Sequence, residues 1–224
     1  MSRRRIHLFG QFDTSDGAGD YPKCVIMTDD PLRAKMLAAH HLEYAALRHE
    51  QGDIMVYTGS YKETAIAVVS TGFGRDTAAE YLSEAKRLGV KEILYIGECV
   101  CASRHHALRT VILADGGSAV LRERGVRAAA KHSIAVTISH VSPCSPGQCG
   151  ETEGSGPGNA PDLTVAADDF PERFYTFAKD NGIAALSVLT VSENTVTGEK
   201  MEEHERRSRL YSAARLVFET AALE

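Results

Sequence analysis

A short apolar run passes through a polar turn into a helix-forming segment near the start of this chain, and this order indicates the fold class. The run 25–27 is followed by Thr28-Asp29-Asp30 and then by Pro31, a residue favoured at the first helical position because no N–H donor is needed there. This order predicts a buried strand, a tight turn and a helix, which is a unit of α/β sheets. Arg33 then falls in the first helical turn.

The position of Arg33 suggests an anion-binding role. Ligands of open α/β sheets bind at the carboxyl ends of the strands, and a guanidinium held there is placed to meet an anion. The alternative interpretation is an N-capped helix that carries a solvated arginine.

The rest of the chain repeats this alternation of apolar runs and amphipathic segments. The predicted strands are 54–57, 64–70, 90–96, 109–114, 134–139, 163–167 and 184–191, and the predicted helices run from 31 to about 49, about 77 to 88, 120–131, about 168 to 182, and from about 201 onward. With 224 residues, 43% of them hydrophobic, the chain is long enough for one substantial core. We therefore predict an α/β fold with a single domain over 1–224, in which helices flank a central mixed β-sheet.

Two segments lack the periodicity of helices and strands. Residues 1–20 predict an edge strand followed by a polar, Gly-rich loop. Residues 142–162 are rich in Ser, Pro and Gly and predict a flexible loop, which serves either as a lid or as a simple insertion.

Charge and apolar content exclude several classes of partner. The net charge is −5, whereas a protein that neutralises nucleic-acid phosphates needs a basic face. No apolar run approaches the roughly 20 residues that span a bilayer, and no apolar segment follows Arg3-Arg4-Arg5. We expect a cytoplasmic protein that binds neither nucleic acid nor membrane.

The cysteines argue against both a disulfide framework and a metal centre. The chain has 5 cysteines, an odd number that is typical of reduced thiols. Cys99, Cys101, Cys144 and Cys149 form a C-x-C and a C-x4-C pair, but structural zinc sites usually have other spacings. We therefore predict no metal.

Five motifs occur in order and at nearly constant spacing from about residue 20 to the end, with 142–162 left unmatched. They are Asp30-Pro-Leu-Arg-Ala-Lys35, Tyr57-Thr-Gly-Ser-Tyr-Lys62, Ser70-Thr-Gly-Phe-Gly74, Gly89-Val-Lys-Glu-Ile-Leu-Tyr-Ile-Gly97, and Leu189-Thr-Val-Ser-Glu193 followed by Glu205-Arg206. These motifs resemble the nucleoside phosphorylase family, above all the bacterial hexameric purine nucleoside phosphorylases. The resemblance implies a nucleoside substrate, phosphate as co-substrate with no other cofactor, and a homo-oligomer (dimer, trimer or hexamer).

The resemblance also implies a catalytic acid. Glu193 matches an aspartate that donates a proton toward the imidazole nitrogen of the purine, and Arg206 matches the arginine that pairs with that aspartate. Glutamate is one methylene longer, so the base is larger, shifted or not a purine. The alternative is a surface salt bridge between Glu193 and Arg206.

Further matches concern the base and the sugar. Cys99 and Ser192, at the ends of two predicted strands, are expected to line the base site. Phe73 matches an apolar residue that packs against the sugar. The family segment whose glutamate holds the ribose diol corresponds to 165–170, where Asp168 or Asp169 is the candidate; both are equally well interpreted as helix caps.

The phosphate site implied by the resemblance is altered. Among the matching positions Arg33 is retained, Asp29 replaces a glycine, Gly52 and Tyr95 replace arginines, Glu98 replaces a hydroxyl residue, and Arg75 is an added cation nearby. Two added carboxylates and two lost guanidiniums should repel a phosphate dianion, by about 1 kcal/mol for each close charge pair at the dielectric constant of water and by more where the pair is buried.

Three functions therefore remain open. The first is phosphorolysis of a nucleoside to free base and pentose 1-phosphate. The second is hydrolysis, with Glu98 or Asp29 as general base for a water molecule. The third is nucleoside binding without catalysis.

Overall fold

The computed structural model describes residues 21–72, 75–102, 104–143, 163–165, 170–208 and 210–223. The described strands form one mixed sheet, whose main path has the order β2-β3-β4-β1-β5-β10-β6-β7. In chain order the strands are β1 (Cys24–Thr28), β2 (Glu43–Gln51), β3 (Ile54–Tyr61), β4 (Thr64–Thr71), β5 (Glu92–Cys101), β6 (Val111–Ala114), β7 (Val136–Ser139), β8 (Ser142–Pro143), β9 (Leu163–Val165), β10 (Ala184–Asn194) and β11 (Glu199–Lys200). The helices are α1 (Pro31–His41), α2 (Arg75–Arg87), α3 (Ala119–Lys131), α4 (Phe170–Asp180), α5 (Glu203–Ser208) and α6 (Tyr211–Ala221).

Hydrophobic side chains cover both faces of the central strands, as expected for parallel strands flanked by helices. Val25 and Met27 of β1 belong to a cluster that includes residues of α2 and α4. Ile26, between them, belongs to a second cluster that includes residues of α1, α3 and α6. This architecture confirms the predicted α/β fold with a mixed central sheet.

The parallel strands bring the predicted site residues to one edge of the sheet. β1 pairs in parallel with β4 and β5, and β5 pairs in parallel with β10. The carboxyl ends of these four strands therefore lie together. None of the described helices has the length and apolar character that crossing a bilayer requires.

The first helix is shorter than predicted. The sequence predicts a helix to about residue 49, but α1 ends at His41, Leu42 is extended, and β2 follows at once. This prediction was wrong because β2 gains its backbone hydrogen bonds from antiparallel pairing with β3, which a local helical pattern does not reveal. Most of β2 is exposed at the edge of the sheet.

The C-terminal segment also differs from the prediction of one long helix. It forms the short helix α5 and then α6, whose N-cap residue is Leu210. Leu210 is buried and belongs to the same cluster as Ala213 and Leu216 of α6, so the start of α6 is held against the core. The predicted N-terminal strand, Phe73, Asp168, Asp169, Cys144 and Cys149 lie outside the described residues, as does most of the predicted loop at 142–162.

Candidate active site

The turn between β1 and α1 fixes the start of the site. The Asp30 carboxylate accepts hydrogen bonds from the backbone N–H groups of Leu32, at 2.8 Å, and Arg33, at 3.4 Å, so Asp30 is the N-cap of α1. The Arg33 side chain returns toward the end of β1. Its Nη1 donates to Asp29 Oδ1 at 2.9 Å and to Thr28 Oγ1 at 3.3 Å.

The Glu98 carboxylate connects two arginines from different helices. Arg33 Nη2 of α1 donates to Glu98 Oε1 at 2.5 Å, and Arg206 Nε of α5 donates to Glu98 Oε2 at 2.5 Å. The side chains of Arg33 and Glu98 are only 7% and 14% exposed, so little water screens this pair. Each oxygen of one carboxylate is thus bonded to a different guanidinium.

The charges of this cluster cancel within the protein. Two guanidiniums, of Arg33 and Arg206, lie against two carboxylates, of Asp29 and Glu98. The sequence places Arg75 as the cation added near Arg33. Among described residues that cation is Arg206, whereas Arg75 begins α2. Arg33 Nε is buried without a hydrogen-bond partner in the described structure, so one donor of the cluster is unused.

Tyr95, where the family resemblance implies an arginine, is an apolar wall of the site rather than a cation. Its side chain folds over Gly97, where an added Cβ would lie 2.6 Å from the Tyr95 ring. Gly97 is therefore required by the close approach of this ring. Burial, with the nearby carboxylate of Asp29, raises the pKa of Tyr95, so the phenol stays neutral.

Helix α5, which carries Arg206, is fixed to the body of the domain by its neighbour Glu205. Arg109 Nη2 donates to both oxygens of Glu205, at 2.8 and 2.9 Å. The same Arg109 lines a separate cavity of about 400 Å³ that contains none of the predicted site residues. The ion pair of Arg109 thus helps to place Arg206 against Glu98.

Glu193 is positioned by an irregularity at the end of β10. The pairing of β10 with β5 shifts register between Val191 and Glu193, which makes Ser192 the extra residue of a β-bulge. Bulges change the direction of nearby side chains and are frequent next to active sites. Glu193 then pairs across the β10–β11 hairpin with Lys200, whose Nζ lies 2.8 Å from Oε2.

The pairing of Glu193 with Arg206 that the resemblance implies is not formed in the described structure. Glu193 pairs with Lys200 instead, and Arg206 pairs with Glu98. Sequence reasoning missed Lys200, although a signal was present. The segment 194–198 has Asn at its start and Gly at its end, which is typical of a turn, and a hairpin there brings Glu193 and Lys200 to opposite positions.

The two residues predicted to line the base site are buried. Ser192 Oγ donates to the backbone carbonyl of Cys99 at 3.4 Å. The Cys99 side chain belongs to the core cluster on the α2 and α4 face, and burial raises the pKa of its thiol. Contact of Cys99 and Ser192 with a base therefore stays a prediction, as do the sugar-binding roles of Phe73, Asp168 and Asp169.

The chain is similar to known proteins over most of its length. No protein-family profile matches the chain. It is 31% identical to a protein of Psychromonas ingrahamii over 215 residues, which is 85% of this chain and 89% of that protein. It is 30% identical to a protein of Shewanella oneidensis over 222 residues, 90% of this chain and 95% of that protein. A protein of Geobacillus kaustophilus is 28% identical over 230 residues, 91% and 94% of the two chains. Each of the three is named a DeoD-type purine nucleoside phosphorylase.

Proposed function

This chain belongs to the nucleoside phosphorylase family, and from that premise we propose that it cleaves the N-glycosidic bond of a purine-type nucleoside and releases the free base. The observation that carries the proposal is the convergence of Arg33, Glu98 and Arg206, from α1, β5 and α5, at the carboxyl edge of the parallel strands. This edge is where ligands of such sheets bind. A cluster of this kind has the charged groups that a polar substrate and a charged transition state require.

The chemistry of the proposed reaction assigns a role to Glu193. When the bond between the anomeric carbon and the base breaks, its electron pair stays with the base, and the sugar gains oxocarbenium character. A proton delivered to the imidazole part of the base neutralises the leaving group, and a positioned carboxylic acid can supply that proton. In our proposal Glu193 is this acid, and Arg206 acts on the opposite, nucleophile side of the cleft through Glu98.

The nucleophile has two candidates. Phosphate is the co-substrate that the names of the relatives suggest, and it requires that Arg33 and Arg206 leave Glu98 to hold the dianion. Water is favoured because the guanidiniums of Arg33 and Arg206 are both already hydrogen-bonded to the Glu98 carboxylate. In that case Asp29 or Glu98 takes a proton from water, the oxygen bonds to the anomeric carbon, and the free pentose is released with the base.

We also propose that the protein is a homo-oligomer. Support comes from the resemblance, in which a neighbouring subunit contributes to each site, and from the edge strand β2, where Tyr44 is 92% and Leu47 48% exposed. Light scattering at micromolar concentration should give a mass of at least two chains. A monomer would remove the shared site and favour nucleoside binding without catalysis.

The experiment that tests the proposed function is an assay of base release from a panel of purine and pyrimidine nucleosides, with and without phosphate. Release of a free base from at least one purine nucleoside is the expected result. If calorimetry shows that nucleosides bind but the assay detects no cleavage, the result would contradict catalysis. It would support a protein that binds nucleosides without cleaving them.

A further inference from the structure

A second cavity, of about 400 Å³, lies where the start of α6 meets the end of α3 and the segments that lead into β6 and β7. Cavities of about 300–1,000 Å³ are the size that holds small-molecule ligands in proteins. Two arginines, Arg109 and Arg215, line this α3–α6 cavity, and no carboxylate is among the described residues that line it. A lining of this charge is suited to an anion.

The two guanidiniums of the α3–α6 cavity have donors to offer. Arg215 is exposed on α6 and makes neither a hydrogen bond nor an ion pair with a described residue. Arg109 uses Nη2 to bind both oxygens of Glu205, but its Nε and Nη1 make no hydrogen bond with a described residue. Because a guanidinium has five N–H donors in a fixed plane, both arginines can contact the oxygens of one bound anion.

The carboxylates behind the wall of the cavity are already paired within the protein. The Glu205 side chain is 12% exposed and is bonded to Arg109. The Glu219 side chain is 4% exposed, is bonded to Lys62, and lies 3.0 Å from His132 through its second oxygen. The positive charge of Arg215 is therefore left for a ligand.

The polarity of the two helix ends adds to this charge. The N-cap residue of α6 is Leu210, and no side chain caps the first N–H groups of the helix, two of whose first residues, Tyr211 and Ser212, line the cavity. The end of α3 has the opposite polarity, but its last carbonyls accept hydrogen bonds from the backbone N–H groups of residues 132–134. An anion at this place meets donors rather than free carbonyls.

An apolar part of the lining indicates what the anion carries. Tyr211 is 61% exposed and lies one helical turn before Arg215, so its ring and the guanidinium share a face of α6. Val111 and Ile134 also line the cavity. We infer that the α3–α6 cavity binds a phosphate monoester with an aromatic group, whose phosphate contacts Arg215 and Arg109 and whose ring packs on Tyr211. Phosphate suits this site better than carboxylate, because its three terminal oxygens can accept from more of these donors.

The inference does not require that the protein cleaves nucleosides, and calorimetric titration with phenyl phosphate at neutral pH tests it. Arg215→Met should weaken binding by about tenfold or more, because charge-assisted hydrogen bonds are lost. Tyr211→Ala should weaken it by about threefold to tenfold, because the ring contact is lost. Lys86→Met removes one exposed positive charge of α2 outside the cavity and is the matched control, with unchanged binding expected.

The two halves of the probe are tested separately. Inorganic phosphate, which lacks the ring, should bind at least about threefold more weakly than phenyl phosphate. Phenol, which lacks the anion, should bind at least about tenfold more weakly. A crystal structure with phenyl phosphate should place the phosphate beside Arg215, which decides the question even if a variant fails to fold.

Several results would overturn the inference. These are no binding of phenyl phosphate at low-millimolar concentration, unchanged affinity in folded Arg215→Met, binding of phenol as tight as that of phenyl phosphate, or a phosphate found beside Arg33 and not beside Arg215. Binding of phenyl phosphate in the α3–α6 cavity by a protein that releases no base from any nucleoside would support the inference and contradict the proposed function.

Discussion

Glu98 and Glu219 each bind several donors, but they do so in different surroundings. The Glu219 side chain of α6 is 4% exposed, and its Oε1 accepts hydrogen bonds from Tyr61 at 2.7 Å and Lys62 at 2.5 Å. His132 Nε2 lies 3.0 Å from the other oxygen. These contacts join the β3–β4 turn and the end of α3 to α6, and none of the three partners is a predicted site residue.

The two partners of Glu98, in contrast, lie at the edge where the proposed chemistry occurs. Arg33 is buried, whereas the Arg206 side chain is 38% exposed, and the family resemblance implies a functional role for both residues. A buried carboxylate with several donors is therefore not by itself a sign of function. The location of its partners decides whether the carboxylate serves stability or the site.

The largest expected effect is on activity at the candidate site. Glu193→Ala should lower kcat by about 10²–10⁴, because a positioned proton donor is lost. Arg206→Ala should act in the same direction but more weakly, because Arg206 reaches the reaction only through Glu98. Steady-state kinetics measure both variants, and Glu202→Ala, an exposed residue near the same hairpin, is the control. A loss of less than threefold in Glu193→Ala would mean that the acid is elsewhere.

The next largest effect is on stability, and it distinguishes Glu219 from Glu98. Glu219→Ala leaves Tyr61, Lys62 and His132 without their shared acceptor and should lower the free energy of unfolding by about 3 kcal/mol. Base release per folded molecule should stay unchanged. Urea unfolding measures the first quantity, with Glu123→Ala on the exposed face of α3 as a control. If Glu219→Ala leaves the free energy of unfolding unchanged, or if it lowers base release per folded molecule, the two clusters do not differ as we describe.

A pH dependence of stability sharpens the same contrast. Burial opposes ionisation of Glu219, but hydrogen bonds from Lys62, Tyr61 and His132 outweigh it and lower the pKa of the carboxyl from 4.5 to about 2. Because the folded pKa is the lower one, this stabilisation is present above pH 4.5 and is lost as the pH falls toward 2. At about pH 3 the free energy of unfolding of the unmodified protein should have fallen by about 2 kcal/mol relative to pH 6. Glu219→Gln has no carboxylate at this position and should not show this decrease. If the free energy of unfolding falls by the same amount in both proteins between pH 6 and pH 3, Glu219 does not have this role.

Much of the fold was predictable because it depends on local patterns. The strand, turn and helix at Val25 to Met36, with Asp30 as N-cap, agree with the structure because apolar runs and capping residues act over a few positions. The segment 43–51 did not follow its local pattern. Its helix-forming composition is overridden by pairing with β3, a tertiary effect.

It was predictable from the sequence that several of the candidate residues lie together at one edge of the sheet, but their pairing was not predictable. Asp29, Arg33 and Glu98 were expected together because the ends of parallel strands share one edge. The partner of Arg206 was not predictable, because Glu98 lies 108 positions away and the choice depends on how α5 docks. Sequence matching also gave no indication of which cation Glu193 contacts, since that depends on the bulge at Ser192 and on the hairpin register.

Titration of base release with phosphate, at constant ionic strength, tests whether the Glu98 carboxylate occupies the position of the phosphate anion. We predict that phosphate up to tens of millimolar changes the rate by less than twofold and that the sugar product is the free pentose, because both guanidiniums are already bonded to Glu98. Replacing Glu98 by Ser together with Tyr95 by Arg should make the rate depend on phosphate. Saturable activation of the unmodified protein by phosphate, with pentose 1-phosphate as product, would contradict the claim and would point to Arg33 and Arg75 as a relocated phosphate clamp.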